Sequence, residues 1–128
     1  MKKKVLTCLF LFAIGAGQPA LSQPPSTTYP AEMNQQEMNR FAHEEFEKSD
    51  AELNRLWNRL QPLLTPDVKE KLVDSQRLWI KWRDAEATAQ SQAYAGGTLA
   101  PFLYSSSLKD TTDQRIKQLQ EWIQANSH

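Results

Sequence analysis

The stretch QRLWIKWRDAE at residues 76–86 sets an amide, a guanidinium and carboxylates inside a helical pattern. Steps of 4, 3, 4 and 3 align Leu72, Gln76, Trp79, Arg83 and Glu86 along one side of a helix, where a simple core seam would be apolar. Such groups form strong, charge-assisted hydrogen bonds, and burying them is costly unless each finds a partner. Two readings are open. One is an internal network in which Arg83 fastens helices through Asp50, Asn54 or a carboxylate near Arg115; the other is a surface that receives another protein. The five fixed donors of a guanidinium favour the first, with Asp50, Asn54, Gln76, Arg83, Glu86 and Arg115 as its members.

Other chemistry is poorly supplied. His43 and Glu47 stand four apart, a spacing that sets two metal ligands on one helix face, but a third ligand is missing. The other histidine is His128, and the single cysteine, Cys8, lies in an N-terminal apolar run, so no metal or cofactor is expected. Ser105, Ser106 and Ser107 form a hydroxyl run without a nucleophile-elbow pattern or a histidine placed to activate them. The acids fall at helical spacings rather than on cleft loops, which does not suit glycoside cleavage, and there is no glycine-rich phosphate cradle. The chain reads as a binding protein and not as an enzyme. Its main loop candidate is GGTLAPFLY at residues 96–104, where Gly96, Gly97, Thr98, Phe102 and Tyr104 combine backbone freedom with apolar and hydroxyl groups. Such a segment can enter another protein's cleft. The competing reading is that the glycines only end a helix and Phe102 only closes the end of a bundle.

Three segments must position these residues. Met38, Phe41, Ala42, Glu45, Ser49, Leu53, Leu56, Leu60 and Leu64 recur at spacings near three and four, which predicts a long amphipathic helix that Pro62 ends or bends. Thr65-Pro66-Asp67 supplies a capping hydroxyl, a proline for the first helical position and an acid for the first turn, so a second helix is expected to run to about Ala93. Gly96-Gly97 stops it, and Thr98 or the Pro101 region opens a third segment marked by Phe102, Leu103, Leu108, Ile116, Leu119, Trp122 and Ile123. Thr111-x-x-Gln114 resembles a capping box and leaves room for a break near Asp110. The expected fold is all-α, a small antiparallel bundle in which the first two helices form a hairpin and the third packs along it. Most of Trp57, Trp79, Trp82 and Trp122 are expected in its core.

Before this domain, Lys2, Lys3 and Lys4 precede an apolar run from Val5 to about Gly17, with Ala20 and Ser22 spaced for cleavage before Gln23. This is the pattern of a secretory signal peptide over residues 1–22, too short in its apolar part to serve as a permanent membrane anchor. Residues 23–31, QPPSTTYPA, read as a flexible tether, and residues 32–126 as one helical domain. Removing residues 1–22 takes three of the 15 basic residues and none of the 15 acidic ones, leaving a net charge of −3. That balance disfavours nucleic acid and allows a cationic protein partner. The expected location is periplasmic or secreted, and the processed chain has no cysteine for a disulfide.

Asp50-Ala51-Glu52-Leu53-Asn54, Gln76-Arg77-Leu78-Trp79, Arg83-Asp84-Ala85-Glu86, Gly96-Gly97-Thr98 and Thr112-x-x-Arg115 follow one another with fitting gaps. As an ordered set they resemble the LprI-like lysozyme inhibitor domain family over residues 33–123. The resemblance implies a small all-helical domain and, from the family's named member, binding and inhibition of animal-type lysozyme. Phe41, Ala87 and Ser107 stand where the family usually has cysteines, so the usual disulfides cannot form here. Two functions follow as expectations. The first is non-covalent blockage of a lysozyme-type muramidase by the loop at residues 96–104; the second is a periplasmic adaptor or envelope-stress module that binds another exported protein.

Overall fold

The computed structural model describes residues 32–127, so the expected signal peptide and tether lie outside the described residues. Three long helices account for nearly all of it: α1 (Gln35–Leu60), α2 (Pro66–Gln92) and α3 (Ala100–Asn126), with no strand among the described residues. The fold is a small all-α bundle.

Each boundary has a local cause. Asn34 opens α1 with a reciprocal capping box: its Oδ1 accepts from the Glu37 amide at 3.0 Å, while Glu37 Oε2 accepts from the Asn34 amide at 2.9 Å. Pro62 sits at the start of a 3-10 turn, Gln61–Leu63, that ends α1. Pro66 occupies the first turn of α2 with Asp67 beside it, but the Thr65 hydroxyl makes no capping bond; the Thr65 carbonyl instead accepts from Lys69 at 2.9 Å. The proline, whose φ is already helical, does the work expected of the hydroxyl. Between α2 and α3 the amides of Tyr94, Ala95 and Gly97 bond back three residues, and Gly96 takes φ +82°, the left-handed conformation that glycine adopts without strain.

α3 is unbroken across Asp110. Thr111 does not cap, because its hydroxyl turns back into the helix and donates to the carbonyls of Ser107 at 2.8 Å and Leu108 at 3.1 Å. A sequence that resembles a capping box is here spent on bonds within one continuous helix.

The register follows from cross-helix pairs. Asn39 reaches Thr98, and Ser49 reaches Asp113, so residue numbers rise together and α1 runs parallel to α3. Gln76 meets Arg115 and Arg83 meets Asp50, so α2 runs antiparallel to both. The expected hairpin of α1 on α2 is not the main contact: α3 packs closely on each of them, whereas the α1 and α2 backbones barely approach one another. Large side chains fill that gap.

At the end near the α1–α2 turn, Leu53, Leu56, Leu60, Leu72, Leu119 and Ile123 form the apolar core, flanked by Trp57, Leu64, Trp79 and Ile116. The half nearer the α2–α3 turn buries Leu108 with smaller groups, Ala42, Ala87 and a hydroxyl cluster from α3 that includes Ser105, Ser106, Ser107 and Thr112, beside half-buried Phe41, Phe46 and Phe102. Small side chains let helices approach closely, at the cost of less apolar area per residue. Of the four tryptophans only Trp57 and Trp79 join the core; Trp82 and Trp122 are exposed.

Leu119 is fully buried, so Leu119→Ala is expected to lower the unfolding free energy by about 2–5 kcal/mol in chemical denaturation. Thr112 is also fully buried, but its hydroxyl has no hydrogen-bond partner. Thr112→Val, which keeps the shape and removes the orphan oxygen, should leave stability unchanged or raise it by about 1 kcal/mol.

Candidate functional site

The polar residues of the 76–86 stretch fall into two joined clusters and one outlier. Arg83, with its side chain 11% exposed, leaves α2 and crosses to α1, where Nη1 lies 3.1 Å from Asp50 Oδ1; its Nε donates to Asp84 Oδ1 at 2.9 Å. Its guanidinium also stacks 5.4 Å from the centroid of Phe46 and 5.3 Å from that of Trp79. Asn54 donates to the other oxygen of Asp50 at 3.3 Å. One cation therefore spans the gap the backbones leave.

Arg115 of α3 approaches Trp79 as well, its guanidinium carbon 5.7 Å from a ring centroid. Its Nε donates to Gln76 Oε1 at 2.9 Å and its Nη1 to Gln118 Oε1 at 2.8 Å. Neither partner is charged, and burial holds this guanidinium below its usual pKa. Trp79 joins the two clusters, with an arginine from each of two helices near its indole. Glu86 stands apart and accepts from Gln90 at 3.0 Å, one turn further along α2. Its step along the seam is right, but a carboxylate that α2 satisfies locally has no need to cross.

Sequence reasoning did not assign Phe46, Asp84 and Gln118 to this network. Phe46 lies four residues before Asp50 and so shares its face of α1, which was the available signal. Asp84 neighbours Arg83 in sequence, and helix neighbours of that kind point apart; only the long arginine stem makes the pair.

The loop end has a different character. Gly96, Gly97 and Thr98 are exposed in the short connection, with the Thr98 carbonyl tied to Asn39 Nδ2 at 3.1 Å. Phe102 and Tyr104, expected in a loop, belong to the first turns of α3; Phe102 is half-buried and Tyr104 is 36% exposed. Pro101 starts a helix there, since it fits the first turn and needs no donor. Tyr94, 53% exposed, adds a second tyrosine to this end. From Ala87 to Leu108 there is no charged residue, so the α2–α3 connection is a neutral segment of amides, hydroxyls, backbone groups and tyrosine rings, while the first turns of α1 beside it carry Glu37 and Arg40.

The remaining candidates are placed without a site around them. His43 Nε2 lies 3.4 Å from Glu47 Oε1 as an exposed pair on α1, and no group of three or more potential metal ligands occurs among the described residues. Ser105, Ser106 and Ser107 are buried in α3. Of the positions where the resemblance led cysteines to be expected, Ala87 and Ser107 are buried and Phe41 is half-buried, each on a different helix in the half near the α2–α3 turn.

Two expectations test the polar groups. Asp50 and Asp84 are 38% and 49% exposed, so water screens the Arg83 pairs; Arg83→Ala should cost about 1–3 kcal/mol in denaturation, less than a fully buried pair. Arg83→Lys, which keeps the charge and loses the fork, should recover only part of it. Asp110 on α3 has its carboxyl raised above the usual range by burial, with Asp113 adding to the shift and Lys109 opposing it. A raised carboxyl favours folding when protonated, and that contribution is lost as pH rises through its folded pKa. Asp110→Asn should therefore raise the melting temperature at neutral pH, and the gain should shrink as pH falls to about 4 and below.

Comparison with known proteins supplies the context. The chain is 26% identical over 120 residues to an uncharacterized protein of Rhizobium meliloti (strain 1021), covering 84% of this chain and 86% of that one. No solved structure matches it significantly. The family model described as lysozyme inhibitor LprI matches residues 26–119, which hold all five of the ordered motifs and α1, α2 and most of α3. The chain belongs to the lysozyme inhibitor LprI family.

Proposed function

We propose that this chain is an exported protein that binds a lysozyme-type muramidase and blocks its cleft without turnover. Gly96, Gly97, Thr98, Phe102 and Tyr104, with Tyr94, form the inserting end. Family membership supports a protein partner and an inhibitory role, and the lysine-led N-terminal pattern supports export. No helix among the described residues is long and apolar enough to cross a membrane.

The observation that carries the choice of surface is the missing charge between Glu86 and Lys109. A muramidase cleft holds a pair of carboxyl groups, one of which stays ionised. Acids on an inserting segment would be repelled there, whereas hydroxyls, backbone amides and tyrosine rings are not. Tyrosines also supply contact area at low entropic cost, as aromatic anchors do in other interfaces. The Arg83 cluster lies deeper along the bundle and holds the helices that present this end.

A turbidity assay of bacterial wall lysis by an animal-type lysozyme tests the reading. Rising amounts of purified protein should slow lysis to a plateau, and Thr98→Asp should weaken inhibition about tenfold while leaving the melting temperature unchanged. Undiminished lysis at a large molar excess of the unaltered protein would sink the proposal.

A further inference from the structure

The outer face of α2 bears a second apolar stripe that the bundle does not use. Leu78, Trp82, Ala85 and Ala89 recur at steps of 4, 3 and 4, and all are exposed, Leu78 at 67% and Trp82 at 51%. The same helix turns Leu72, Gln76 and Ala87 inward, so α2 has apolar positions on two faces. Isolated exposed apolar residues are ordinary, but a row over the second half of a helix with a leucine and a tryptophan one turn apart is the pattern of a contact surface.

We propose that this face pairs with the same face of a second copy of the chain, the two α2 helices running antiparallel. The flanking charges select that partner. Asp74 and Lys81 stand seven residues apart along one border of the stripe, two helical turns. In an antiparallel pair whose two-fold axis passes between Arg77 and Leu78, Asp74 of each copy faces Lys81 of the other. The two ion pairs arise together by symmetry. Both groups are available: Lys81 has no ion pair among the described residues, and Asp74 has only an exposed contact of 3.9 Å with Arg77.

The apolar contacts agree with the same register. Leu78 falls at the axis beside its own copy, and Trp82 meets the stem of Lys71 of the second copy. The alanines let the helices come close, and the tryptophan caps a lysine stem and its charge. One helix face is a small interface, so the dimer forms in the micromolar range.

Sedimentation equilibrium of the purified protein reads the outcome. The unaltered chain should dimerise reversibly. Asp74→Lys and Lys81→Asp should each raise the dimer dissociation constant about tenfold, because each sets like charges face to face. A mixture of the two single variants restores both opposite pairs and should associate as tightly as the unaltered chain. Trp82→Ser should also weaken the dimer, and circular dichroism of each exposed-site variant checks that the helices remain. A monomer at near-millimolar concentration overturns the proposal. So does a dimer indifferent to the charge reversals, which would place the contact on another face.

Discussion

The structure depends on the gap between α1 and α2. These helices do not close on each other through their backbones; both lean on α3, and the space between them is spanned by long side chains. Arg83 is the main strut, tied to Asp50 across the gap and to Asp84 on its own helix, with Phe46 and Trp79 against its guanidinium. A leucine there would fill part of the space without fixing the register, because apolar contact is nondirectional while a guanidinium fork is not. The arrangement explains why a polar seam occurs on a helix otherwise built like a core element.

The two halves of the bundle are held by different means. Near the α1–α2 turn, leucines and isoleucines bury apolar area in the ordinary way. Toward the α2–α3 turn, alanines and hydroxyl residues let helices approach closely, and polar ties such as Ser49 to Asp113 and Asn39 to the Thr98 carbonyl fix the ends. This second half carries the uncharged α2–α3 connection. The described residues contain no cysteine, so the helices meet without a covalent staple.

Much of the architecture was legible in advance. The leucine periodicity of α1, the proline at the start of α2 and the paired glycines after it gave three helices with boundaries close to those observed, because each is a local effect of backbone geometry. Thr111 misled, since one hydroxyl can cap a new helix or bond back within an old one, and only the surrounding packing selects between them. The polar seam was legible as a group. Its wiring was not: Glu86 has a local acceptor role, while Asp84 and Phe46 enter through the reach of a long side chain that helical spacing does not describe.

What the sequence determined by itself is the kind of protein: its helical class, the family motifs and a long uncharged stretch between Glu86 and Lys109. Those properties reside in residue order and composition, which folding does not alter. Tertiary structure decided which partner each polar group takes, which tryptophans face water and which helix is central. Periodicity states that a face is apolar or polar, but not which other face will meet it; that choice is made by side-chain volume and reach when three helices share one small core.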